Sequence, residues 1–554
     1  MRQGMTEMAA RPWARGVVVC VACLAALAGA AQDTLHSPLS IPLFFSGNFG
    51  EIRTGHFHTG MDIRTQGREG IPVLAAHDGR ISRVKVSDKG YGLALYLDGR
   101  GLTTVYAHLS RFHPDIEAWL RATQYANESW AFDGPPSEPF SFSMGDTLGW
   151  SGNSGRSFGP HLHFEVRDQR TQWPVNPLHW TLVGEGMTED DVPPEFRGVW
   201  VIPMEGARAE GAPERFRWSP AYGESLRVAG PFHLGVEAFD KLDREAFTHG
   251  PYGIDVFLDD SLIHRHRMDT LDFSTNKDVS AHIDIAAWQD RRSRVHRLHR
   301  LPGNRLDIYQ RTGDMTPLEV EPGDTARLDV VVMDLPGNTS RVSVMLIGDS
   351  ASGDSIGEAL DVLDHRRRYR LTEGRMGIEL PPGALYGDAA ITLVDDSSGR
   401  FSVLSEARLT RSAYQLNVPV PEAWAGSGEP LVLVGLDEDG EVDGTWVSDE
   451  RGGMIGASLK RFGVFEVRPD TVAPELGTPR LAEGSLRLTV SDDLSGIDRW
   501  EGRCNGRWMR FGWEKGVLVH PVADGILTEG AEVKVWAVDE VGNLGHREFT
   551  WPLK

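Results

Sequence analysis

The sequence predicts a mainly β protein that is built from several domains. The chain has 554 residues, which is too long for one hydrophobic core and suggests roughly three to five domains. It contains 62 glycines and 32 prolines, so turns are frequent. Many of its apolar residues fall in short β-branched or aromatic runs bounded by Gly or Asp, a pattern typical of strands.

Residues 1–31 have the features of a secretory signal peptide. Arg11 and Arg15 form a basic flank, and an apolar run of 15 residues follows from Gly16 to Ala30. Small residues at its end, Ala28 to Ala30, supply a cleavage site. A membrane span needs about 20 apolar residues. We therefore expect cleavage rather than anchoring, and we predict no membrane span in the mature chain.

Cysteine content and net charge exclude several classes of protein. Cys20 and Cys23 leave with the signal peptide, so Cys504 remains alone and no intramolecular disulfide is expected. A metal site must then use His, Asp or Glu, and Cys504 is expected to be buried in a β module. The formal net charge of −22 argues against binding to nucleic acid or anionic surfaces, and it favours solubility.

The first predicted domain covers residues 32–185 and should be a compact antiparallel β fold. One segment, residues 114–130, interrupts the strands and is predicted as a helical insertion, because Pro114 stands early and apolar residues follow at helical spacing. The predicted strands are Ile71–Ala76, Gly79–Ser87, Leu93–Gly99 and Leu102–Leu109.

Three β-sandwich-like modules are predicted after an acidic, Pro-containing linker. Two of them, residues 191–350 and 471–554, each contain a strand that ends in Asp-x-x-Gly-Asn, at 334–338 and 539–543. Gly and Asn tolerate positive φ, so this motif indicates a turn after a strand. The repeat suggests sandwiches of immunoglobulin type. Residues 351–470 form a further β-rich module between them.

Two histidines, His161 and His163, lie one residue apart in an apolar run. Alternate residues of a strand point to the same face, so the two imidazoles should project together while Leu162 enters the core. The preceding segment, residues 151–160, has three glycines and a proline and is predicted to be a tight loop. Such a pair in a strand is most often structural unless other ligands join it.

A second group of polar residues stands upstream, where His58 precedes Asp62 and Gly60 permits a bend between them. A catalytic zinc commonly takes three protein ligands from His and carboxylate and keeps one position for water. His58, Asp62 and one histidine of the downstream pair would supply that set. The other histidine and His108 would remain for proton transfer. The joint presence of these residues, each after glycine-rich turns, favours a hydrolytic metal site.

These motifs resemble those of the lysostaphin/LytM-type zinc metallopeptidases over residues 44–180. The resemblance rests on HFHTGMDIRT at 56–65, YAHLS at 106–110 and SGNSGRSFGPHLHFEVRD at 151–168, with GDTLGW and VNPLHW as matching flanks. It implies a small antiparallel β-sheet with a groove, a zinc cofactor, and cleavage of peptide bonds in bacterial peptidoglycan.

The resemblance also implies a role for each of the five site residues. His58 and Asp62 match the first two zinc ligands of the family, and His163 matches the third. His108 and His161 match the catalytic histidines, of which one should help to deprotonate the water and the other should stabilise the oxyanion. Some relatives lack ligands and serve as activators of other hydrolases. All five positions are present here, which argues for activity.

Four further features have alternative interpretations. The helical insertion departs from the family pattern and is expected to form one wall of the groove. The extra histidine His56 is interpreted as a surface residue rather than a support for a ligand. Residues 437–444 resemble a calcium loop but lack its downstream Glu, which favours a hairpin turn. The Trp-rich stretch 504–513 is interpreted as sandwich core rather than as a glycan-stacking face.

We therefore predict a secreted zinc endopeptidase that acts on peptidoglycan in the periplasm or envelope of a Gram-negative bacterium. The C-terminal modules would bind a possible protein partner. Two other hypotheses stay open. In the first, the protein is a catalytically silent cell-wall scaffold or activator. In the second, it is a protease with a protein substrate.

Overall fold

The computed structural model describes residues 34–184, 190–241, 247–313, 316–350, 362–396, 398–448 and 450–553. The predicted signal peptide lies outside these residues. The described part is mainly β, as predicted. Its large hydrophobic cores follow one another along the chain and extend over Leu35–Leu182, Val199–Leu346, Met376–Val467 and Leu476–Ala537. We call these four units, in chain order, the first domain, the second module, the third module and the fourth module.

An antiparallel sheet of nine strands covers the core of the first domain. Its central strand, His161–Asp168, sends Leu162, Phe164 and Val166 into that core, so period-two alternation decides which side chains reach the opposite face. The strands in spatial order are Phe132–Gly134, Gly79–Val86, Ala94–Gly99, Leu102–Ala107, His161–Asp168, Met61–Arg64 and Phe45–Gly47, with Ser141–Phe142 beside Gly79–Val86 and Pro174–Val175 beside His161–Asp168. Smaller sheets pair Leu109–Phe112 with Thr147–Ser151 and Pro72–Leu74, Ile52–Arg53 with His56–Phe57, and Thr34–His36 with Thr181–Val183.

A single long helix, Pro114–Asn127, lies among the described residues of the first domain. Pro114 occupies the first turn, where a missing N–H costs nothing, and His113 caps the helix by accepting from the backbone N–H of Asp115. Ile116 and Leu120 are buried against the sheet. Among the described residues, no helix combines the length and the apolar character that crossing a bilayer requires.

The second module consists of two sheets that share one core. The smaller sheet has the strands Phe216–Trp218, Glu195–Pro203, Phe232–Phe239 and Val295–Arg297. The larger sheet has the strands Arg208–Ala209, Ser225–Ala229, Thr339–Gly348, Thr325–Met333, Gly253–Leu258, Ser261–Arg267 and Tyr309–Arg311. Two short helices, Val279–His282 and Ile285–Arg291, connect the sheets.

The third and fourth modules repeat the arrangement of two sheets around one core. The hairpin Leu431–Leu436 and Val442–Val447 encloses the acidic turn at 437–441, as predicted. The other strands of the third module are Tyr369–Glu373, Met376–Leu380, Leu409–Pro419, Met454–Arg461 and Glu450–Arg451 in one sheet, Thr392–Asp395, Arg400–Leu404 and Gly463–Pro469 in the sheet of the hairpin, and the pair Val362–Leu363 and Ala389–Ala390. The fourth module has Glu475–Leu476, Arg480–Ala482, Ser485–Ser491, Val517–Pro521 and Gly512–Glu514 facing Arg507–Met509, Ile497–Cys504, Glu532–Asp539 and Leu544–Thr550.

The two Asp-x-x-Gly-Asn segments form the same turn. In the second module, one carboxylate oxygen of Asp334 accepts from the backbone N–H groups of Gly337 and Asn338. In the fourth module, Asp539 accepts from Gly542 and Asn543 in the same way. The predicted turn after a strand is confirmed in both places.

The second module packs directly against the first domain. The side chain of Asn48 exchanges two hydrogen bonds with the backbone of Gly250, at 2.7 and 3.0 Å. Around this contact, Phe49 and Phe57 of the first domain share a buried cluster with Met268 and its neighbours in the second module. The side of the first domain that carries Asn48 and Phe57 is therefore supported from outside its own sheet.

The fourth module packs against the helix of the first domain. Tyr125 donates to Asp524 at 2.8 Å, and Arg503 pairs with Glu128 at 2.7 Å. The Trp-rich stretch serves both its own core and this interface, since the ring of Trp508 lies 5.4 Å from that of Tyr125. Cys504 is buried in the module, as predicted.

Candidate metal centre

The candidate site lies on the face of the central strand that points away from the core. His163 is paired with Asp62 on one neighbouring strand and with Ala107 on the other. His161 and His163 project to the same face, and Leu162 is fully buried on the other. The predicted alternation is confirmed, and it brings the histidine pair to the strand that carries Asp62.

Three side chains converge on one point of this face. The Nε2 of His58 lies 3.0 Å from Oδ1 of Asp62 and 3.0 Å from Nδ1 of His163. The Nδ1 of His163 lies 2.9 Å from the same carboxylate oxygen. All three residues are buried. Two imidazole nitrogens and one carboxylate oxygen therefore meet in the arrangement of a tridentate metal site.

The outward nitrogens of both imidazoles are held by acceptors of the protein. The Nδ1 of His58 lies 2.8 Å from the carbonyl oxygen of Asn48, and the Nε2 of His163 lies 2.8 Å from Oε1 of Glu165. Each acceptor fixes the N–H on the outward side, so each ring presents its other nitrogen to the site. This support is usual for metal-ligating histidines. The donor set present thus fits a divalent cation of the zinc class.

Glu165 also belongs to the candidate site, although the sequence motifs did not single it out. It is fully buried and also accepts from Thr59 at 2.7 Å, from Tyr91 at 2.5 Å and from Arg167 at 2.6 Å. Burial alone raises the pKa of Glu165, but Arg167 and His163 outweigh it and hold the carboxyl ionised. The signal was present, since Glu165 follows His163 by two positions and therefore shares its face.

The carboxylate of Asp62 is also held in its charged form. Burial raises the pKa of Asp62, but the neighbouring His58, followed by His161 and His163, keeps it well below its usual range. Arg53 donates to its second oxygen at 3.0 Å. Burial lowers the pKa of His163, yet hydrogen bonds to Asp62 and Glu165 raise it to about 9. The site therefore attracts positive charge, which a proton or a metal cation supplies.

The two other predicted residues, His108 and His161, lie beside this set. Their ring centroids are 4.7 Å apart, and the Nε2 of His161 lies 3.5 Å from Oδ1 of Asp62. The Nδ1 of His108 lies 2.8 Å from the carbonyl oxygen of Ser154, and that of His161 lies 2.8 Å from the carbonyl oxygen of Gly159. The glycine-rich loop thus orients both rings and leaves their Nε2 atoms for chemistry.

His108 has a backbone conformation that few residues adopt. Its φ is +60°, which places a histidine in the left-handed region between two strands. Such conformations cost free energy and concentrate at functional sites. Burial lowers the pKa of His108 to about 3, with His163 and His161 contributing next. The ring is therefore neutral.

Gly60 and His56 lie near the candidate ligands but are not themselves ligands. The chain bends at Gly60, as predicted, although its φ is not positive. The glycine is needed for close packing, because a Cβ there would lie 2.5 Å from the carbonyl oxygen of Phe164 and 2.8 Å from Cγ of Glu165. His56 is exposed and its Nδ1 lies near the carbonyl oxygen of Thr54, which confirms its interpretation as a surface residue.

A cavity of about 940 Å³ lies next to the site. One wall is the helix, with Glu117 and Arg121, and the opposite wall is the fourth module, with Arg487 and Arg510. Its floor includes Ser154, whose carbonyl oxygen orients His108. None of the five predicted site residues lines this cavity, which touches the glycine-rich loop at 153–155.

Comparison with known proteins supports the assignment of the first domain. The model of Peptidase family M23 matches residues 56–125. The DD-carboxypeptidase/endopeptidase Mpg of Neisseria meningitidis is 33% identical over 141 residues, which are 25% of this chain and 26% of that protein. The chain thus spans about a quarter of the length of the curated relatives it matches.

Solved structures also match about a quarter of the chain. The catalytic domain of lysostaphin from Staphylococcus simulans is 23% identical, with 24% of this chain and 86% of that one covered at a TM-score of 0.18. A zinc-containing peptidase from Vibrio cholerae is 22% identical, with 27% and 41% covered at a TM-score of 0.20. On the family model and the Neisseria relative, the N-terminal part of this chain contains a peptidase M23 domain.

Proposed function

We propose that the protein is a zinc endopeptidase that hydrolyses amide bonds in the stem peptides or cross-links of peptidoglycan. The observation that carries the proposal is the convergence of His58, Asp62 and His163, with both rings oriented by acceptors behind them. The M23 match and the activity named for the Neisseria relative support the reaction class.

In this proposal, His58, Asp62 and His163 hold the zinc. When bound, zinc polarises the scissile carbonyl and lowers the pKa of water toward ~7. The three ligands arise from two neighbouring strands and the turn before one of them, so the sheet fixes their spacing. Asn48 and Glu165 keep both imidazoles in the orientation that binding needs.

The proton chemistry is assigned to His108 and His161. Both rings are tethered at Nδ1 by backbone carbonyls of the glycine-rich loop and present Nε2 to the reacting groups. One of them takes a proton from the attacking water, and the other stabilises the oxyanion of the tetrahedral intermediate. Burial keeps His108 neutral, and the contact of Nδ1 with Ser154 leaves the lone pair on Nε2.

We further propose that the cavity beside the helix is part of the substrate groove. The helix and the fourth module form its opposite walls, and basic side chains such as Arg121, Arg487 and Arg510 line it. Each of these arginines is paired with a carboxylate of the lining, Arg487 with Glu483 and Glu514 and the other two with Asp524, so the cavity offers a polar surface of mixed charge to a peptide. The three modules would then shape access to the site and would also provide a surface for a protein partner.

Secretion and location belong to the same proposal. Residues 1–31 would be removed as a signal peptide, and the mature chain would act in the periplasm or envelope of a Gram-negative bacterium. The Neisseria relative supports this location. The boundaries 32–185, 191–350, 351–470 and 471–554 are proposed for the domains, and an immunoglobulin-like fold is proposed for the second and last modules.

Digestion of isolated peptidoglycan tests the proposal. Wild-type mature protein with added Zn²⁺ is expected to release soluble peptides, which mass spectrometry identifies by the bond that was cut. The variant His163→Ala should release none, while the variant His56→Ala, altered at an exposed histidine, should match wild type. Zinc binding without release would favour a protein substrate. Absence of both zinc binding and release would favour the scaffold hypothesis.

A further inference from the structure

A second cluster of buried histidines lies in the second module. His266 and His296 lie on strands of its two facing sheets, and His282 ends the short helix between them. Their exposed fractions are 0%, 2% and 0%, respectively. One nitrogen from each ring lies within 4.8 Å of the others. Three imidazoles from three separate elements thus meet in the interior.

The contacts within this cluster repeat those of the site in the first domain. The Nε2 of His282 lies 2.8 Å from Nδ1 of His296, as the Nε2 of His58 lies 3.0 Å from Nδ1 of His163. The ring of His266 stacks against that of His296 with centroids 5.4 Å apart. Both clusters therefore bring an Nε2 and an Nδ1 to the spacing of ligands that share one ion.

Neighbouring polar groups orient the rings from outside the cluster. The Nδ1 of His282 lies 2.8 Å from the hydroxyl of Tyr309, which accepts from Asn304 at 2.9 Å. The Nδ1 of His266 lies 2.9 Å from Nε2 of His264, two residues away on the same strand face. Ligating histidines are usually fixed in this manner through the second ring nitrogen.

Two nitrogens of the cluster have no protein partner among the described residues. These are the Nε2 atoms of His266 and His296, both shielded from solvent. A buried polar atom without a partner is costly, so native proteins rarely keep one without a reason. Burial also favours neutral imidazole, the form that coordinates metals. A metal ion would use the lone pair of His266 Nε2, and His296 would bind it through the Nδ1 that faces His282.

We propose that His266, His282 and His296 form a second metal centre, which binds a divalent ion of the zinc class and stabilises the junction between the second module and the first domain. Imidazole ligands suit zinc and its neighbours in the first transition row, whereas calcium and magnesium prefer oxygen. The centre is independent of the proposed catalytic function, because its ligands lie in another module.

The position of the cluster explains why the junction would depend on it. The ring of His282 contacts Phe57, with centroids 5.5 Å apart, and Phe57 directly precedes the ligand His58. Asn276, close before the same helix, holds the backbone of Phe57 through hydrogen bonds of 2.7 and 2.9 Å. Fixing His282 therefore fixes the surface against which the strand before His58 rests.

Metal content of the full mature chain tests the proposal. Wild type is equilibrated with Zn²⁺, dialysed, and measured by mass spectrometry of the metal. Two ions per chain are expected in wild type, and one each in His163→Ala and in His282→Ala. The control variant His299→Gln changes a buried histidine outside the cluster and should keep two. Thermal unfolding of His163→Ala should still shift upward with Zn²⁺, because the second centre remains.

Cobalt spectroscopy provides a measurement that does not depend on the folding of His282→Ala. Folded His163→Ala titrated with Co²⁺ should bind one equivalent with the visible absorption of a nitrogen-ligated ion. Failure of His163→Ala to bind any ion would overturn the second centre and leave the catalytic site intact. Two ions in His282→Ala would overturn it as well. Loss of peptidoglycan cleavage alone bears only on the first site.

Discussion

Glu165 lies two residues after His163 on one strand, and its Oε1 is 2.8 Å from Nε2 of that histidine. The contact turns Nδ1 of the ring toward Asp62. We expect Glu165→Gln to weaken zinc affinity about 10–100-fold, because the amide removes the negative charge that makes the ligand more basic. Competition with a chromogenic chelator measures the effect. The exposed Glu475→Gln is the control, and equal affinities in both variants would contradict the role of Glu165.

Substitution of His108 or His161 should lower the rate of cleavage without changing the amount of bound zinc. His108→Gln and His161→Gln are each expected to lower kcat for peptidoglycan cleavage about 10²–10⁴-fold, because proton transfer in the transition state is lost. Zinc content should stay unchanged, since neither residue belongs to the His-Asp-His set. Loss of zinc from both variants would show that these histidines are ligands instead.

Gly60 and Gly159 offer a matched pair of glycine substitutions. A Cβ at Gly60 would lie 2.5 Å from a backbone oxygen, whereas a Cβ at Gly159 would meet nothing within 4 Å. Gly60→Ala is expected to lose about 1–3 kcal/mol of unfolding free energy through overpacking, and Gly159→Ala little. Thermal unfolding compares them. An unchanged melting temperature in Gly60→Ala would show that the strands behind the site can shift enough to accommodate the added methyl group.

Asp240 makes the stability of the second module depend on pH. Burial, and then the carboxylates of Asp190 and Asp334, raise the pKa of Asp240 from 3.8 to about 8. Between these values the folded state keeps a proton that the unfolded state releases, so stability falls as pH rises. Asp240→Asn should remove this loss and be more stable at pH 8 by on the order of 2 kcal/mol.

Thermal unfolding at pH 4, 6 and 8 in calcium-free buffer measures this difference. Wild type and Asp240→Asn should lie closest at pH 4, where Asp240 is protonated in the folded state and only about half ionised in the unfolded state. The exposed Asp439→Asn should follow wild type throughout. Parallel curves for wild type and Asp240→Asn would mean that the carboxyl is ionised in the fold.

Local sequence patterns were sufficient for much of the fold. Short runs such as Gly79–Ser87 and Leu93–Gly99 predicted strands that the structure contains as Gly79–Val86 and Ala94–Gly99. The turns at Asp334 and Asp539 were also predictable, because each carboxylate accepts hydrogen bonds from backbone N–H groups two to four residues later in the chain. The docking of modules on the first domain was not predictable, since Asn48 and Gly250 are 202 residues apart.

The candidate site shows the same limit. Alternation along one strand predicted that His161 and His163 share a face, and the structure confirms it. The same rule places Glu165 on the face of His163 and puts His264 and His266 on one face of their strand. Alternation alone does not say which of these polar side chains meet partners from other elements. The contacts of the backbone carbonyl oxygens of Asn48 and Ser154 could not be predicted from the sequence, because every residue type has a backbone carbonyl.

An anomalous difference map at the zinc edge, from crystals of the mature protein grown with Zn²⁺, tests the central claim most directly. We expect a peak within about 2.0–2.2 Å of Nε2 of His58, Oδ1 of Asp62 and Nδ1 of His163. The rings of His108 and His161 should lie beside the peak without coordinating it. A map with no peak at these three residues, or a zinc held there by other side chains, would contradict the proposed catalytic centre.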